Sequence, residues 1–429
     1  MHPAAKKLNE RLQGTIIDRM LSDLGKEFFF PKGIVAQAAE AAKRAHRFDA
    51  TVGMAYTKGA PIILDAIKDS ISGIGTKQIV GYSPTPGNAD LRKRWLDLMK
   101  SKNPSLQGVS SSLPMVTPGL TNGLNHAADL FCNPGETLIL PDLYWGNYNL
   151  LFGVRYGLNI VTYPFFTSDG RFNLDGFIQT IRENRGPRGV RILLNFPNNP
   201  TGYSPSHEEA KAITAALAKE AEEGDILLIL DDAYFGLFYE EGLETESLFA
   251  HTAALHKNLL AVKIDGATKE DYVWGFRVGF FTIANPELNE DHYAAWDDKL
   301  IGSIRSNVSN GNTLGQNLLL KAMDTPGYAE NKKAIADELR NRYLIVRKIL
   351  SEAPYNKADF PLSALPFNAG YFMAFRCKEN NAEQLRQDLL AEGIGTIAMG
   401  DSLLRVAYAG VDQEFLPDLY AEIAKAAQK

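Results

Sequence analysis

Cysteine is nearly missing from this 429-residue chain: Cys132 and Cys377 are the only two. They are too few for a disulfide framework and too far apart for a zinc knuckle. Its 7 histidines form no H-x-x-x-H pair, so the sequence offers no ligand set for a metal. A basic surplus is missing too. With 45 Lys and Arg against 51 Asp and Glu, the formal net charge is -6. Nothing is left over to neutralise a phosphate backbone, which argues against a nucleic-acid binder. No apolar run approaches the roughly 20 residues that a membrane helix needs. The opening "MHPAAKKLNERLQG" lacks the apolar stretch of a secretion signal. With 45% hydrophobic and 22% charged residues the composition is ordinary for a globular protein. The expectation is a cytoplasmic enzyme with room for two domains.

What is present is a regular alternation. Between Thr117 and Ile283 short apolar runs alternate with helical patterns, as in a largely parallel sheet covered by helices. The runs "TLIL" (137–140), "VRILLN" (190–195), "ILLILD" (226–231), "LLAVKI" (259–264) and "VGFFTI" (278–283) predict strands. From about Thr313 the pattern turns helical, breaks at Pro326-Gly327 and continues through "ENKKAIADELRNRYLIVRKIL". Short strands around "GYFMAF" and "LLRVAYA" and a final helix, "PDLYAEIAKAAQ", follow. The expected organisation is a large α/β domain over 51–325 and a smaller α+β domain over 326–429. Residues 1–50 are expected to fold against the smaller one.

In open parallel sheets, ligands sit outside the carboxyl ends of the strands, so the loops there carry the chemistry. After "VRILLN" comes "FPNNPTG", whose Asn198, Asn199, Pro200 and Gly202 make a turn in any context. Asn199 adds a side-chain donor if that loop lies at the sheet edge. After "ILLIL" comes "DDAYFGLFY". A carboxylate ending a buried strand needs a partner. Asp231 or Asp232 either caps the next segment or, for Asp231, pairs with a cation in the crevice, with Tyr234 supplying a phenol. In "PDLYWGNYN", Tyr144, Trp145 and Tyr148 suit either a core or stacking on a planar ring. Gly119 in "VTPGLTNGLNHAADLF" precedes an amphipathic pattern, so Leu120 and Thr121 offer donors at a helix start, where N–H groups lack partners. This is neither a dinucleotide nor a Walker fingerprint.

The densest segment is "DGATKEDYVWGFRVG", with Lys269 and Arg277 eight positions apart between two predicted strands. A lysine in a dry crevice loses basicity, and the neutral amine attacks aldehydes to form a Schiff base. Arg277 with the Gly119–Thr121 helix start would bind a dianion. An aldehyde, a phosphate and a ring nitrogen that wants a carboxylate together describe pyridoxal phosphate.

On these motifs the chain resembles the fold type I pyridoxal-phosphate aminotransferases, in the aspartate/aromatic branch, from about Thr51 to Tyr408. The resemblance implies a mostly parallel seven-stranded sheet between helices, a smaller α+β domain, and a homodimer whose active sites are shared across the interface. By the same resemblance Lys269 carries the cofactor and shuttles the proton, Arg277 holds the phosphate, and Asp231 holds the pyridinium N–H. Tyr234 and Asn199 hydrogen-bond the ring oxygen, and Trp145 stacks on the ring, with Asn199 and Trp145 also facing substrate. "GYSPTPGNADLR" is similar to the segment whose tyrosine, here Tyr82, reaches the phosphate in the neighbouring subunit. "LLRVAYA" is similar to the strand whose arginine, Arg405, binds the substrate α-carboxylate. "TVGMAY" resembles the substrate-covering segment around Gly53, with one extra residue before the tyrosine. "IRSNVSN" resembles the segment whose arginine, Arg305, crosses to the neighbouring site and pairs with the side chain of aspartate or glutamate.

Two departures stand out. Gly266 replaces the usual serine three before the lysine, leaving Thr268 as the nearest hydroxyl. Tyr148 replaces the histidine behind the ring aspartate. The implied reaction is ping-pong transfer of an amino group from an L-amino acid, dicarboxylic or aromatic, to a 2-oxo acid such as 2-oxoglutarate. C–S lyase and decarboxylase chemistry share these motifs and stay open. A non-catalytic cofactor-binding regulator is the remaining alternative and ranks lowest. Regulators built on this fold usually carry an appended DNA-binding domain, and the short N-terminal stretch is expected to leave no room for one.

Overall fold

A computed structural model of the chain describes residues 1–13, 15, 21, 23–28, 33–379 and 381–429. Its centre is a seven-stranded sheet of β1 (Met115–Thr117), β2 (Thr137–Pro141), β3 (Asn159–Tyr163), β4 (Val190–Leu194), β5 (Ile226–Asp231), β6 (Leu259–Gly266) and β7 (Gly279–Ala284). The spatial order is β1-β7-β6-β5-β4-β2-β3. Only β7 runs against its neighbours, pairing antiparallel with both β1 and β6. β4 and β7 are buried at every position and β5 and β6 at all but one. Helices on both faces leave no solvent side, so these strands read as continuous apolar runs. The five strands expected from the sequence lie within two residues of their predicted ends. β1 was missed because it has only three residues. β3, an edge strand with most of its positions partly open, has no unbroken apolar run to read.

The helices that matter for the site are α1 (Ile34–Arg44), α2 (Ala89–Lys102), α3 (Leu120–Phe131), α4 (His207–Glu222), α5 (Ala267–Glu270), α6 (Glu290–Asn307), α7 (Thr313–Met323) and α8 (Tyr328–Ser351). Local chemistry sets where they begin. Asn88 caps α2 by accepting from the backbone N–H groups of Asp90 and Leu91. Ser206 and Glu209 form a reciprocal capping box at the start of α4. Gly327, left-handed at φ 86, separates α7 from α8, where the sequence showed its Pro-Gly break.

A second, antiparallel sheet follows: β8 (Leu362–Ala364), β9 (Met373–Cys377), β10 (Ile397–Met399) and β11 (Leu403–Val406), in the order β8-β9-β11-β10. Residues near the N-terminus join this layer. Phe48–Asp49 pairs in parallel with Ile394–Gly395. Gln37 of α1 exchanges two hydrogen bonds with the Ala398 backbone, at 3.0 and 2.8 Å. No described helix is long and apolar enough to cross a membrane. Among the described residues no group of His, Cys, Asp or Glu is arranged to hold a metal.

Candidate active site

A cleft of about 320 Å³ opens where β4, β5 and β6 end. It brings together Gly53, Leu120, Thr121, Trp145, Asn199, Asp231, Tyr234, Lys269, Arg277 and Arg405, drawn from seven separate stretches of sequence. Parallel strands explain this convergence, because their carboxyl ends all point to one edge of the sheet.

Lys269 sits on α5, one turn of helix directly after β6. Its ammonium lies 5.0 Å from the Tyr234 ring centre. Burial lowers its pKa from 10.5 to about 8; Asp231 pulls it back up and Arg277 pushes it further down. The missing serine at 266 has a steric cause. Gly266 pairs with Gly279 across β6 and β7. A Cβ at 266 would lie 2.7 Å from the Val278 carbonyl oxygen and 2.9 Å from Gly279 Cα.

Asp231 closes β5 and is 3% exposed. Its carboxylate accepts from the Tyr148 hydroxyl at 2.6 Å and from the Ala233 N–H at 3.2 Å. Burial raises its pKa; the Tyr148 hydrogen bond and Lys269 act against that rise, while Asp232 adds to it. Asp232 turns to the opposite side of the sheet, where it pairs with Lys263.

Asn195 ties two strand ends together. Its amide donates to the Asp231 carbonyl at 2.7 Å, and its side-chain oxygen accepts from the Asn199 N–H at 2.9 Å. Asn199 in turn accepts from Arg405 Nη1 at 3.1 Å. Arg405, 2% exposed, donates from Nη2 to the Thr51 carbonyl at 2.9 Å and lies 4.3 Å from the Phe372 ring centre. Its Nε has no partner. Burial lowers its pKa to about 10, so it stays a cation at neutral pH. Gly53 borders this end; a Cβ there would lie 3.4 Å from Phe372 and 3.6 Å from the Tyr234 hydroxyl.

At the other end, Gly119 starts α3 with φ 82, a conformation glycine adopts freely. A Cβ there would meet Arg277 Nη2 at 2.4 Å, so only glycine lets the guanidinium lie against the helix start. Arg277 is itself left-handed, at φ 54, and donates to the Trp274 carbonyl at 3.0 Å. Trp145 meets Tyr148 edge to face at 5.5 Å.

Two expected residues lie apart from this cleft. Tyr82 is 93% exposed. Arg305 is exposed on the last turn of α6, where it bonds Ser309. Sequence reasoning also missed contributors. Asn195 gave the same signal as Asp231, a polar residue ending an apolar strand. Ile34, Trp274 and Phe372 line the cleft but read as plain apolar residues. Tyr371, whose hydroxyl donates to the Lys269 carbonyl at 2.8 Å, gave no signal either.

The donor set fits pyridoxal phosphate. Unpaired helix-start N–H groups and a guanidinium suit the phosphate, an amine of lowered pKa suits the aldehyde, and a buried carboxylate suits the ring nitrogen. Arg405 lines the cleft with its Nε unpartnered, and a guanidinium there suits a substrate carboxylate.

The family pattern "Aminotransferase class I and II" matches residues 54–423. A probable N-succinyldiaminopimelate aminotransferase of Mycobacterium tuberculosis is 28% identical over 208 residues, 48% of this chain and 49% of that protein. The cytoplasmic aspartate aminotransferase of Saccharomyces cerevisiae is 26% identical over 219 residues, 49% of this chain and 50% of its own length. The chain thus spans about half the length of these curated relatives. An aminotransferase from Anaerococcus prevotii superposes with TM-score 0.84 at 26% identity, covering 96% of this chain and 100% of that one. A Thermus thermophilus aspartate aminotransferase mutant, 20% identical with TM-score 0.75 over 95% of this chain and 99% of its own, shares the fold. The chain belongs to the class I and II aminotransferases, a family that works with pyridoxal phosphate.

Proposed function

We propose that this chain is a transaminase that passes the amino group of an L-amino acid to a 2-oxo acid. One observation carries the reading: a single cleft holds an amine lowered to about pKa 8 together with a buried carboxylate and a half-paired arginine. When bound, pyridoxal phosphate supplies the electron sink for the bond broken at the substrate Cα.

The chain's own residues do the rest. Lys269 Nζ, neutral in a useful fraction near neutral pH, binds the cofactor's aldehyde and, once free, moves the substrate's Cα proton. Asp231 would hold the ring N–H, and the Tyr148 hydroxyl orients that carboxylate and opposes the rise in its pKa that burial causes. Tyr234 and the Asn199 amide would hydrogen-bond the ring oxygen, and Trp145 would stack on the ring. Arg277 and the Gly119–Thr121 helix start take the phosphate. Arg405 pairs with the substrate α-carboxylate, and Gly53 leaves room above it. Tyr82 and Arg305, exposed in the single chain, serve the neighbouring site of a homodimer. Arg305 there favours aspartate and glutamate as donors.

A panel of amino donors against 2-oxoglutarate, run on wild type and Arg305→Leu, tests this. The expected result is 2-oxo acid formation from dicarboxylic donors that drops in the variant. Unchanged aspartate and glutamate turnover would remove the Arg305 assignment. Amino acid without acceptor should stop at one equivalent of product per site; continued release would mean lyase chemistry.

A further inference from the structure

Beside Lys269 lies a partly buried ionic cluster that this scheme leaves unused. Helix α5 has four residues, too few to define its own position. Its neighbour Tyr272 is buried and left-handed at φ 57, an uncommon state for a bulky residue. The lysine turn is therefore held from outside. Glu270 pairs with Lys102, the last residue of α2. Lys332, near the start of α8, reaches both carboxylates, 3.2 Å from Glu270 and 2.7 Å from Asp271. The Tyr328 hydroxyl donates to Asp271, which is fully buried. Two lysines against two carboxylates leave the group neutral. Burial raises the Glu270 pKa, but Lys102 and Lys332 overcome it and hold the group at about 2.

Buried ion pairs are weak sources of stability, and apolar replacements are often as stable. Four charges next to the reactive amine, Asp271 fully buried and the other three partly so, therefore call for another role. Helix α8 indicates what it is. About ten residues beyond Lys332, some 15 Å of helix, the fully buried Arg342 donates to the Ala409 carbonyl at 2.6 Å. Ala409 follows β11, the strand that carries Arg405. One helix thus touches the lysine turn at one point and the continuation of the arginine strand at another.

We propose that Lys332 is a positioning residue for Lys269: by bridging Glu270 and Asp271 from α8, it sets where the amine stands relative to Arg405. The proposal rests on the transaminase reading above. Misplacing a reacting group by about 1 Å can cost on the order of 100-fold in rate.

Three variants test it: Lys332→Met, Lys332→Arg, and Lys332→Met combined with Asp271→Asn. The first leaves two carboxylates against one lysine and is expected to lose stability. The double variant restores charge balance without the bridge. Each is measured for Tm, for the rate at which visible absorbance appears when apoprotein meets pyridoxal phosphate, and for kcat and KM. We expect the double variant to recover most of the Tm yet show absorbance and kcat each slower by about 10-fold or more, with KM within about threefold. Lys332→Arg should stay within about threefold of wild type in both rates. A double variant with wild-type absorbance rate and kcat would overturn the proposal. If wild type gains the absorbance but transfers no amino group, the functional reading fails, and the absorbance rates still decide the role of Lys332.

Discussion

Two lysines on adjacent stretches of one strand-and-turn, the buried Lys263 and the half-buried Lys269, meet opposite fates. Lys263 lies on the face of β6 away from the cleft, since Asp231 is in register with Ile264 between Lys263 and Asp265. There it is 1% exposed and paired with Asp232 and, at 3.4 Å, with Asp265. Those carboxylates are themselves satisfied, by Ser247 at 2.6 Å and the Trp95 indole at 3.2 Å. Burial would lower the Lys263 pKa, but Asp232 and Asp265 hold it above its usual value. At Lys269 burial wins and the pKa falls to about 8. A closed set of pairs makes a structural cluster. An open set, with Lys269 over a tyrosine ring and Arg405 Nε without a partner, makes a site.

The contrast breaks hardest at Lys269. Lys269→Ala should lower turnover by about 1,000-fold or more, because one group both binds the aldehyde and moves the proton. Visible absorbance on adding pyridoxal phosphate should vanish with it. The pH dependence has a definite sign. Aldehyde capture by the wild-type apoprotein should rise with pH through a midpoint near 8, as the neutral amine appears. Between about 8 and 10.5 the unfolded chain binds more protons at this position than the folded one, so stability rises with pH there. Lys269→Met should erase that rise in chemical unfolding measured across the same window.

Arg405 is the other open member of the cleft set. Arg405→Leu should lower kcat/KM by about 100-fold for amino and 2-oxo acids alike, since both present the same carboxylate. Arg405→Lys should recover only part, because a point charge does not reproduce a planar fork. Steady-state kinetics with both substrate types decides it. A loss confined to one of them would mean that Arg405 reads something other than the shared carboxylate.

The closed cluster and the open site were not equally legible in the sequence. Lys269 and Arg277 were conspicuous as two charges eight positions apart between apolar strands and Asp231 as a carboxylate closing one, whereas Asn199 stood in a loop that a plain turn also explains. The same logic placed Asp231 in the crevice but left either aspartate free to cap the next segment; strand parity separates them once β5 is known to end at Asp231. Phe372, Ile34 and Tyr371 were invisible because ordinary apolar and aromatic residues become site residues only through long-range packing. The absence of a serine at 266 could be read; its cause could not. It lies in the Val278 carbonyl and Gly279 backbone, which approach only after β6 and β7 pair. Tyr82 and Arg305 were read through a second chain, and the single chain leaves both exposed.

A smaller effect is expected where the open site borrows from a closed bond. Tyr148→Phe removes the hydroxyl that Asp231 accepts at 2.6 Å but leaves the ring in place. Burial then opposes the Asp231 anion with one less hydrogen bond, so its pKa should rise further. Losing a buried hydrogen bond to a charged group is worth roughly 1.5–3 kcal/mol. We expect kcat to fall about 10-fold. Cofactor retention under dialysis against inorganic phosphate should weaken as well. Unchanged retention together with unchanged kcat would mean that Asp231 does not depend on this phenol.

The smallest effect on turnover should come from the closed cluster itself, where the largest effect on stability is expected. Lys263→Met removes the one cation that Asp232 and Asp265 share and leaves two carboxylates buried together. Breaking a buried ion pair from one side costs about 3–5 kcal/mol, because the charge left behind has lost its partner. Without that cation the Asp265 pKa, already raised by burial, should rise further, which limits any change in the field at Asp231 next door. Turnover per folded molecule should therefore stay within about twofold of wild type, even as the unfolding midpoint in denaturant drops. Adding Asp265→Asn should return part of the lost stability, since it removes an unpaired charge and keeps an acceptor for the Trp95 N–H. If turnover instead falls in step with stability, the two faces of the sheet are coupled, and the division between closed cluster and open site does not hold.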